Sequence, residues 1–251
     1  MPTKYWRKTI RIKGQNVNGL LYYNDYIEWE MVLTYMDEFQ ADVICLVEPN
    51  LDMNKPKVKE EKFTCLKKMD KYAKLTKSAS PLIYNKSEFK MGGTLMYSRG
   101  NWSGHVLEHG SEQLGQWSYQ TFEGKSGKQV TIITTYRVGK AKNDSGTYTI
   151  CNQQEKDLLV HKNRHLDPWE QILIDLQKEI TKLHEKGHLV ILYGDFNDDV
   201  QYSSRMGRFL SDSNMKNIAM TKHEGDLPRT HDRGAHVLMC LLYPLQWMRK
   251  Q

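Results

Sequence analysis

Apolar and polar residues follow one another along this chain in short blocks, some with the two-residue period of strands and others with the near-four-residue period of helices. Thr9–Val17 has strand character and runs into the turn-prone pair Asn18-Gly19. From Ile27 to Phe39 the apolar positions Ile27, Met31, Tyr35 and Phe39 recur every four residues, which predicts one apolar helix face. Asp42–Val47 is nearly continuous and apolar, the pattern of a strand covered on both sides. Shorter β-branched or aromatic runs follow at Leu82–Tyr84, Thr94–Tyr97, Trp117–Phe122 and Val130–Tyr136. Glycines separate most of them, as in antiparallel hairpins.

The clearest helix opens at Asp167-Pro168-Trp169-Glu170. Asp167 can cap the free N–H groups, Pro168 suits the first helical position, and Glu170 would complete a capping box. The stripe Trp169, Ile172, Leu173, Leu176, Ile180, Leu183 follows, and Gly187 supplies the left-handed residue past the end. Leu189–Tyr193 then reads as a buried strand that delivers Gly194-Asp195-Phe196-Asn197. Helix and strand patterns alternate throughout without an internal repeat, which indicates an α/β class.

Composition narrows the picture. At 251 residues, 39% hydrophobic and 26% charged, the chain has the make-up of a globular protein with a sizeable core. The expectation is one domain spanning 1–251. Met1–Ile10 lacks an apolar leader, and the longest apolar run is too short to cross a bilayer, so a soluble intracellular protein, nuclear or cytoplasmic, is expected, with no membrane partner. Cys45, Cys65, Cys151 and Cys240 are scattered without a C-x-x-C pair, which excludes a thiolate metal site of that spacing. His161 and His165 stand i, i+4, but no third ligand accompanies them. Between Lys55 and Lys77 nine lysines face only Glu60, Glu61 and Asp70, so this segment carries the chain's whole excess of six positive charges. Such a stretch can attract phosphate backbones, with Lys67, Lys68, Lys71 and Lys74 at its centre, or it can be a solvated helix face.

Four polar clusters fall at or near strand ends: Asn16-Val17-Asn18-Gly19-Leu20, Glu48-Pro49-Asn50-Leu51-Asp52, Thr135-Tyr136-Arg137 and Gly194-Asp195-Phe196-Asn197. Strand ends are rigid and the turns beyond them expose side chains, a good way to build a site. In order and spacing the set resembles the endonuclease/exonuclease/phosphatase superfamily, nearest to its retrotransposon-type and abasic-site endonucleases. The sequences NVNGL, ADVICLVEPNLD and ILYGDFND carry the likeness, which extends from residue 10 to about residue 242. The resemblance implies a four-layered α/β sandwich, two mixed sheets flanked by helices. It also implies hydrolysis of DNA phosphodiesters with Mg²⁺, or Mn²⁺ in its place. Glu48 would hold the cation, with Asn16 positioning the site beside it, and Asn18 matches a position that is acidic in some relatives, where it contributes to the metal shell. Tyr136 would contact the scissile phosphate with Arg137 nearby. Asp195 would orient or deprotonate the attacking water, and Asn197 would hydrogen-bond phosphate oxygens. These residue types suit the chemistry, because Mg²⁺ prefers hard oxygen ligands and needs only one or two carboxylates.

The pattern then departs from the family. Thr230–Leu238 resembles the start of the family's last core region, but Met239 occupies the position where an aspartate is expected, and no aspartate or histidine follows it. The domain is therefore expected to be C-terminally incomplete, without the final strand and its Asp/His pair. His231, Asp232 and His236 lie just upstream, at the wrong end of that strand to take over. Three functions compete: a metal-dependent endonuclease with impaired activity, a non-catalytic remnant that at most binds nucleic acid, and a phosphatase of a small phosphorylated molecule.

Overall fold

A computed structural model describes residues 9–20, 27–78, 89–124, 127–139, 150–162, 167–198, 202–223 and 239–244. The strands are β1 (Ile12–Asn16), β2 (Val43–Val47), β3 (Lys74–Ser78), β4 (Thr94–Ser98), β5 (Val106–Ser111), β6 (Trp117–Glu123), β7 (Gln129–Tyr136), β8 (Leu189–Asp195), β9 (Met215–Asn217) and β10 (Met239–Pro244). The helices are α1 (Ile27–Glu38), α2 (Pro56–Met69), the short α3 (Gly100–Ser103), α4 (Ile150–Lys162), α5 (Pro168–Glu185), α6 (Ser204–Asp212) and α7 (Ile218–Lys222).

The strands form two mixed sheets. One runs β1-β2-β4-β3, with β1 and β2 parallel and the remaining pairs antiparallel. The other runs β5-β6-β7-β8-β10-β9, with β7 and β8 parallel. Val43, Cys45 and Met96 from the first sheet meet Val106, Phe122, Ile132 and Ile191 from the second in a shared core. Burial pushes the Cys45 thiol up to about 12, so it is a small apolar filler there. On the outer face of the first sheet, Trp29, Leu33 and Met36 of α1 pack with Val58 and Leu66 of α2. On the outer face of the second, Ile172, Leu176 and Ile180 of α5 pack with Met206 and Phe209 of α6. Helix, sheet, sheet and helix make the four layers of an α/β sandwich.

Local chemistry explains the elements. All five residues of β2 are buried, as its unbroken apolar run requires. Asp167 accepts the Trp169 N–H at 2.8 Å to cap α5, and Gly187, at φ +80°, closes its other end. Glu170 does not complete a capping box; its carboxylate reaches Arg205 at 2.7 Å. Leu82–Tyr84 lies outside the described residues. The stripe Met31, Tyr35, Phe39 turns outward, at 65%, 41% and 49% exposure, while Trp29, Leu33 and Met36 are buried. Apolar residues occupy both sides of α1, so the four-residue spacing picked out the solvent side. The strand beginning at Met239 is present as β10, seated between β8 and β9. Among the described residues, β1 pairs with β2 alone.

One glycine brings the two sheets into contact where β1 passes β8, and a second lets β8 lie close against β7 within its own sheet. A Cβ on Gly14 would stand 2.0 Å from the Tyr193 ring, so only glycine lets that ring lie on the β1 backbone. A Cβ on Gly194 would stand 2.2 Å from Thr135 Cγ2 and 2.8 Å from the Thr135 carbonyl oxygen. The Gly14–Tyr193 contact sets the ends of β1 and β8 beside each other.

Candidate active site

Two rows of residues converge at those strand ends. In the first sheet Asn16 pairs with Val47, which pairs with Thr94; in the second, Tyr136 pairs with Asp195, which pairs with Met239. Glu48 follows Val47 directly. Asn16 links the rows: its Nδ2 donates to Glu48 Oε1 at 3.0 Å and to Asp195 Oδ2 at 2.9 Å. One neutral amide thus holds two carboxylates from opposite sheets, each through a charge-assisted hydrogen bond. The amide oxygen is also used, accepting the Asn18 N–H at 2.9 Å. Asn18 sits at φ +44° with its side chain exposed at the rim, and Gly19 N–H then donates to the Glu48 carbonyl at 2.7 Å.

Asp195, 5% exposed, is held on its other oxygen by the Asn197 N–H at 3.1 Å. Asn197 in turn donates from Nδ2 to the Arg137 carbonyl at 2.7 Å. Tyr136 is buried with its hydroxyl directed towards Glu48 and Asn197. Burial first, then the Glu48 charge and hydrogen bond and the Asp195 charge, raise its pKa, so it stays protonated. Glu48, Asn50 and Asn197 lie at φ +53°, +53° and +47°. Asparagine tolerates the left-handed region, but a glutamate there costs about 1–2 kcal/mol and persists only where its surroundings over-determine it. The Gly92-Gly93 turn does so: its carbonyls accept the Glu48 and Asn50 N–H groups at 3.1 and 3.2 Å.

The structure therefore gathers Asn16, Glu48, Tyr136, Asp195 and Asn197, with Asn18 at the edge. Arg137, expected near the phosphate, stands apart from them. It is 0% exposed, its Nε donates to the Trp169 carbonyl at 2.8 Å, and its Nη1 pairs with Asp198 at 3.0 Å. Its guanidinium stacks 3.5 Å from the centre of the Trp169 ring, and Arg205 lies 4.2 Å from that ring. Burial works against the Arg137 charge, and Asp198 supports it. Alternation along β7 explains the placement: Tyr136 turns to the cluster, so its neighbour turns to the helix layer.

The lysines are placed differently from the cluster. Lys74 pairs with Ser98 at one end of the first sheet, whereas Ser78 pairs with Thr94 at the cluster's end, about 13 Å away at the usual strand rise. Lys67 donates to the Lys71 carbonyl at 2.7 Å and lies over Phe63, and Lys74 donates to the Val106 carbonyl at 3.3 Å. Lys68 and Lys71 are exposed. Nearer the cluster stand two lysines that sequence reasoning did not single out. Lys90 lies 3.8 Å from Asp52, and Lys77 donates to the Met53 carbonyl at 2.8 Å. Burial and Lys59 lower the Lys77 pKa, and Asp52 partly offsets them. The Gly92-Gly93 pair was the available signal for this turn.

His231, Asp232, His236 and His165 lie outside the described residues. Among the described residues no group of three His, Cys, Asp or Glu side chains could enclose a metal ion, and no helix is long and apolar enough to cross a membrane.

Comparison with known proteins fits this geometry. No curated protein matches the chain in sequence. Among solved structures it is similar to the AP endonuclease LMAP of Leishmania major, with TM-score 0.66, 11% identity, and 94% of this chain and 79% of that one covered. It is also similar to the 3′ phosphatase NExo from Neisseria bound to a product DNA hairpin, with TM-score 0.60, 16% identity and coverage of 95% and 88%. A mannosyl-6-phosphatase from Bacteroides thetaiotaomicron VPI-5482 gives TM-score 0.58, 10% identity and coverage of 94% and 86%. At these identities the likeness establishes the fold. The family model described as "Endonuclease/Exonuclease/phosphatase family" matches residues 15–214, which include every member of the cluster, and the chain belongs to that family.

Proposed function

We propose that the protein is a divalent-cation-dependent phosphoester hydrolase acting on nucleic acid, with turnover attenuated by the residue opposite Asp195. The observation that carries this reading is the Asn16 amide shared between Glu48 and Asp195. The donor set suits Mg²⁺ or Mn²⁺: a half-buried carboxylate with few protein partners is how a hard cation that keeps several waters is usually held. Glu48 would hold the cation, which when bound supplies Lewis-acid polarisation of phosphoryl oxygens. Asp195, fixed on both oxygens, is oriented to accept a proton from an attacking water. The Tyr136 hydroxyl and the Asn197 amide are neutral donors that can support a phosphate anion without adding charge.

Met239 pairs with Asp195 where the family pattern leads one to expect an aspartate. That favours a second reading, a nucleic-acid-binding protein without turnover. Plasmid nicking in Mg²⁺ separates the two. The hydrolase reading expects slow nicking, reduced by about 10²–10⁴ from a complete acid–base site. It expects that activity to vanish in Asp195→Ala and rise in Met239→Asp. Duplex binding with no nicking by either the unmodified chain or Met239→Asp would establish the second reading. Manganese calorimetry gives an independent check: Glu48→Gln should abolish the heat, and equal heats from both proteins would refute a cation site at Glu48.

A further inference from the structure

The outward stripe of α1 takes no part in the cluster or the core. Met31 and Tyr35 of the helix and Phe39 just past its end are 65%, 41% and 49% exposed and form one row. Beside them lies a groove of about 430 Å³ lined by Glu30, Met31, Thr34, Tyr35 and Glu38. Tyr35 and Phe39 pack edge to face with centroids 4.7 Å apart. The ammonium of Lys13, on neighbouring β1, stands 5.2 Å from the Tyr35 centroid and 4.2 Å from that of Phe39. The helix carries Glu28, Glu30, Asp37 and Glu38 and no lysine or arginine, on a chain whose net charge is +6; Asp37 is paired with Arg99, which leaves the glutamates to set the charge of this face.

We propose that this face docks a basic amphipathic polypeptide segment of another protein, one with apolar anchors for the stripe and lysine or arginine flanks for Glu30 and Glu38. Charge complementarity selects that occupant. An acidic helix repels nucleic acid and anionic lipid, while an apolar row rimmed by carboxylates suits an amphipathic segment of opposite charge. The proposal is independent of the hydrolase reading, because none of its residues belongs to the catalytic cluster.

The test uses the full chain and a fluorescently labelled peptide of 14 residues with leucine along one helical face and lysine on the other. Its controls are the same peptide with glutamate for lysine, and a scramble of the leucine/lysine sequence. Anisotropy measures affinity, and ¹³C-methyl methionine spectra report whether Met31 is touched. The leucine/lysine peptide should bind and shift the Met31 methyl resonance. Met31→Ser/Phe39→Ser should weaken binding by at least about tenfold, and Glu30→Gln/Glu38→Gln by about fivefold, with only the charge effect shrinking as salt rises. All four positions face solvent, and unchanged thermal melts will show that the variants fold; the Met31 shift in the unmodified chain needs no variant. Equal binding of the scrambled or glutamate peptide, or binding that leaves Met31 unshifted, overturns the proposal. So does a dimer in sedimentation that Met31→Ser/Phe39→Ser dissolves, since the stripe would then serve a second copy of this chain.

Discussion

Replacing Arg137 with methionine tests whether this arginine serves the fold or the substrate. The change keeps much of the aliphatic length and removes the guanidinium. Asp198, at 14% side-chain exposure, then loses its cationic partner and keeps the Ser203 hydroxyl at 3.0 Å. The Trp169 carbonyl loses the Nε–H donor, and the Trp169 ring loses the stacked cation. Truncating one partner of a buried ion pair costs about 3–5 kcal/mol, and the other two losses overlap with that figure rather than adding to it. In a chain of this size each kcal/mol moves Tm by about 2–4 °C, so a drop of roughly 6–20 °C is expected. Thermal melts of Arg137→Met, Asp198→Asn and the double variant measure it. The double variant should be less destabilised than the sum of the single ones, by about 1–3 kcal/mol. A Tm within about 2 °C of the parent, coupled with lost duplex binding, would refute the structural role and return Arg137 to the phosphate.

Three further outcomes follow from the geometry. Replacing Lys67, Lys68, Lys71 and Lys74 with glutamine should weaken duplex binding and flatten its salt dependence by about 0.9 in log–log slope for each phosphate no longer neutralised. Turnover at saturating substrate should stay unchanged, because these lysines sit towards the sheet end away from Asp195; steady-state kinetics at two salt concentrations will separate affinity from rate. Gly194→Ala should cost at least about 1–3 kcal/mol, since its Cβ would collide with the Thr135 carbonyl as well as its methyl group, and urea midpoints will report it. Acid should destabilise the fold through His184 and His188, whose pKa values burial lowers, with Lys186 adding to the effect at His188. Each binds its proton more readily when unfolded, so stability is full above the ordinary histidine value of about 6.5 and is lost as pH falls through the folded values. Chemical denaturation across that window should show a shallower loss in His188→Gln; identical slopes would count against the assignment.

The elements with a single reading were legible in the sequence. The unbroken apolar run of β2, the capped start of α5 and the strand before Asp195 all appear where pattern places them, because one burial state explains each. The gathering of Asn16, Glu48, Tyr136 and Asp195 was visible only through family likeness, since nothing local says that residues so distant will meet. α1 shows the opposite failure. Trp29, Leu33 and Met36 make as good a stripe as Met31, Tyr35 and Phe39, and only the sheet beneath decides between them. Arg137 lies away from the cluster because adjacency to Tyr136 in sequence means opposite faces in a strand. The lysine-rich segment turns a corner between α2 and β3, so its count of charges could not reveal at which end of the sheet they lie.

Asn16 and Asp195 are 179 residues apart, and each sheet carries only half of what the cluster contains. The site therefore exists only while the two sheets are docked, and occupancy and docking are thermodynamically linked. Any ligand held by both Glu48 and Asp195 acts as a clasp, adding about 2.7 kcal/mol to stability at a hundred times its Kd. The linkage is reciprocal. A substitution at the Gly14–Tyr193 contact, which touches no ligand, should weaken apparent binding in proportion to the fraction of molecules whose sheets it separates, and ligand should draw that fraction back.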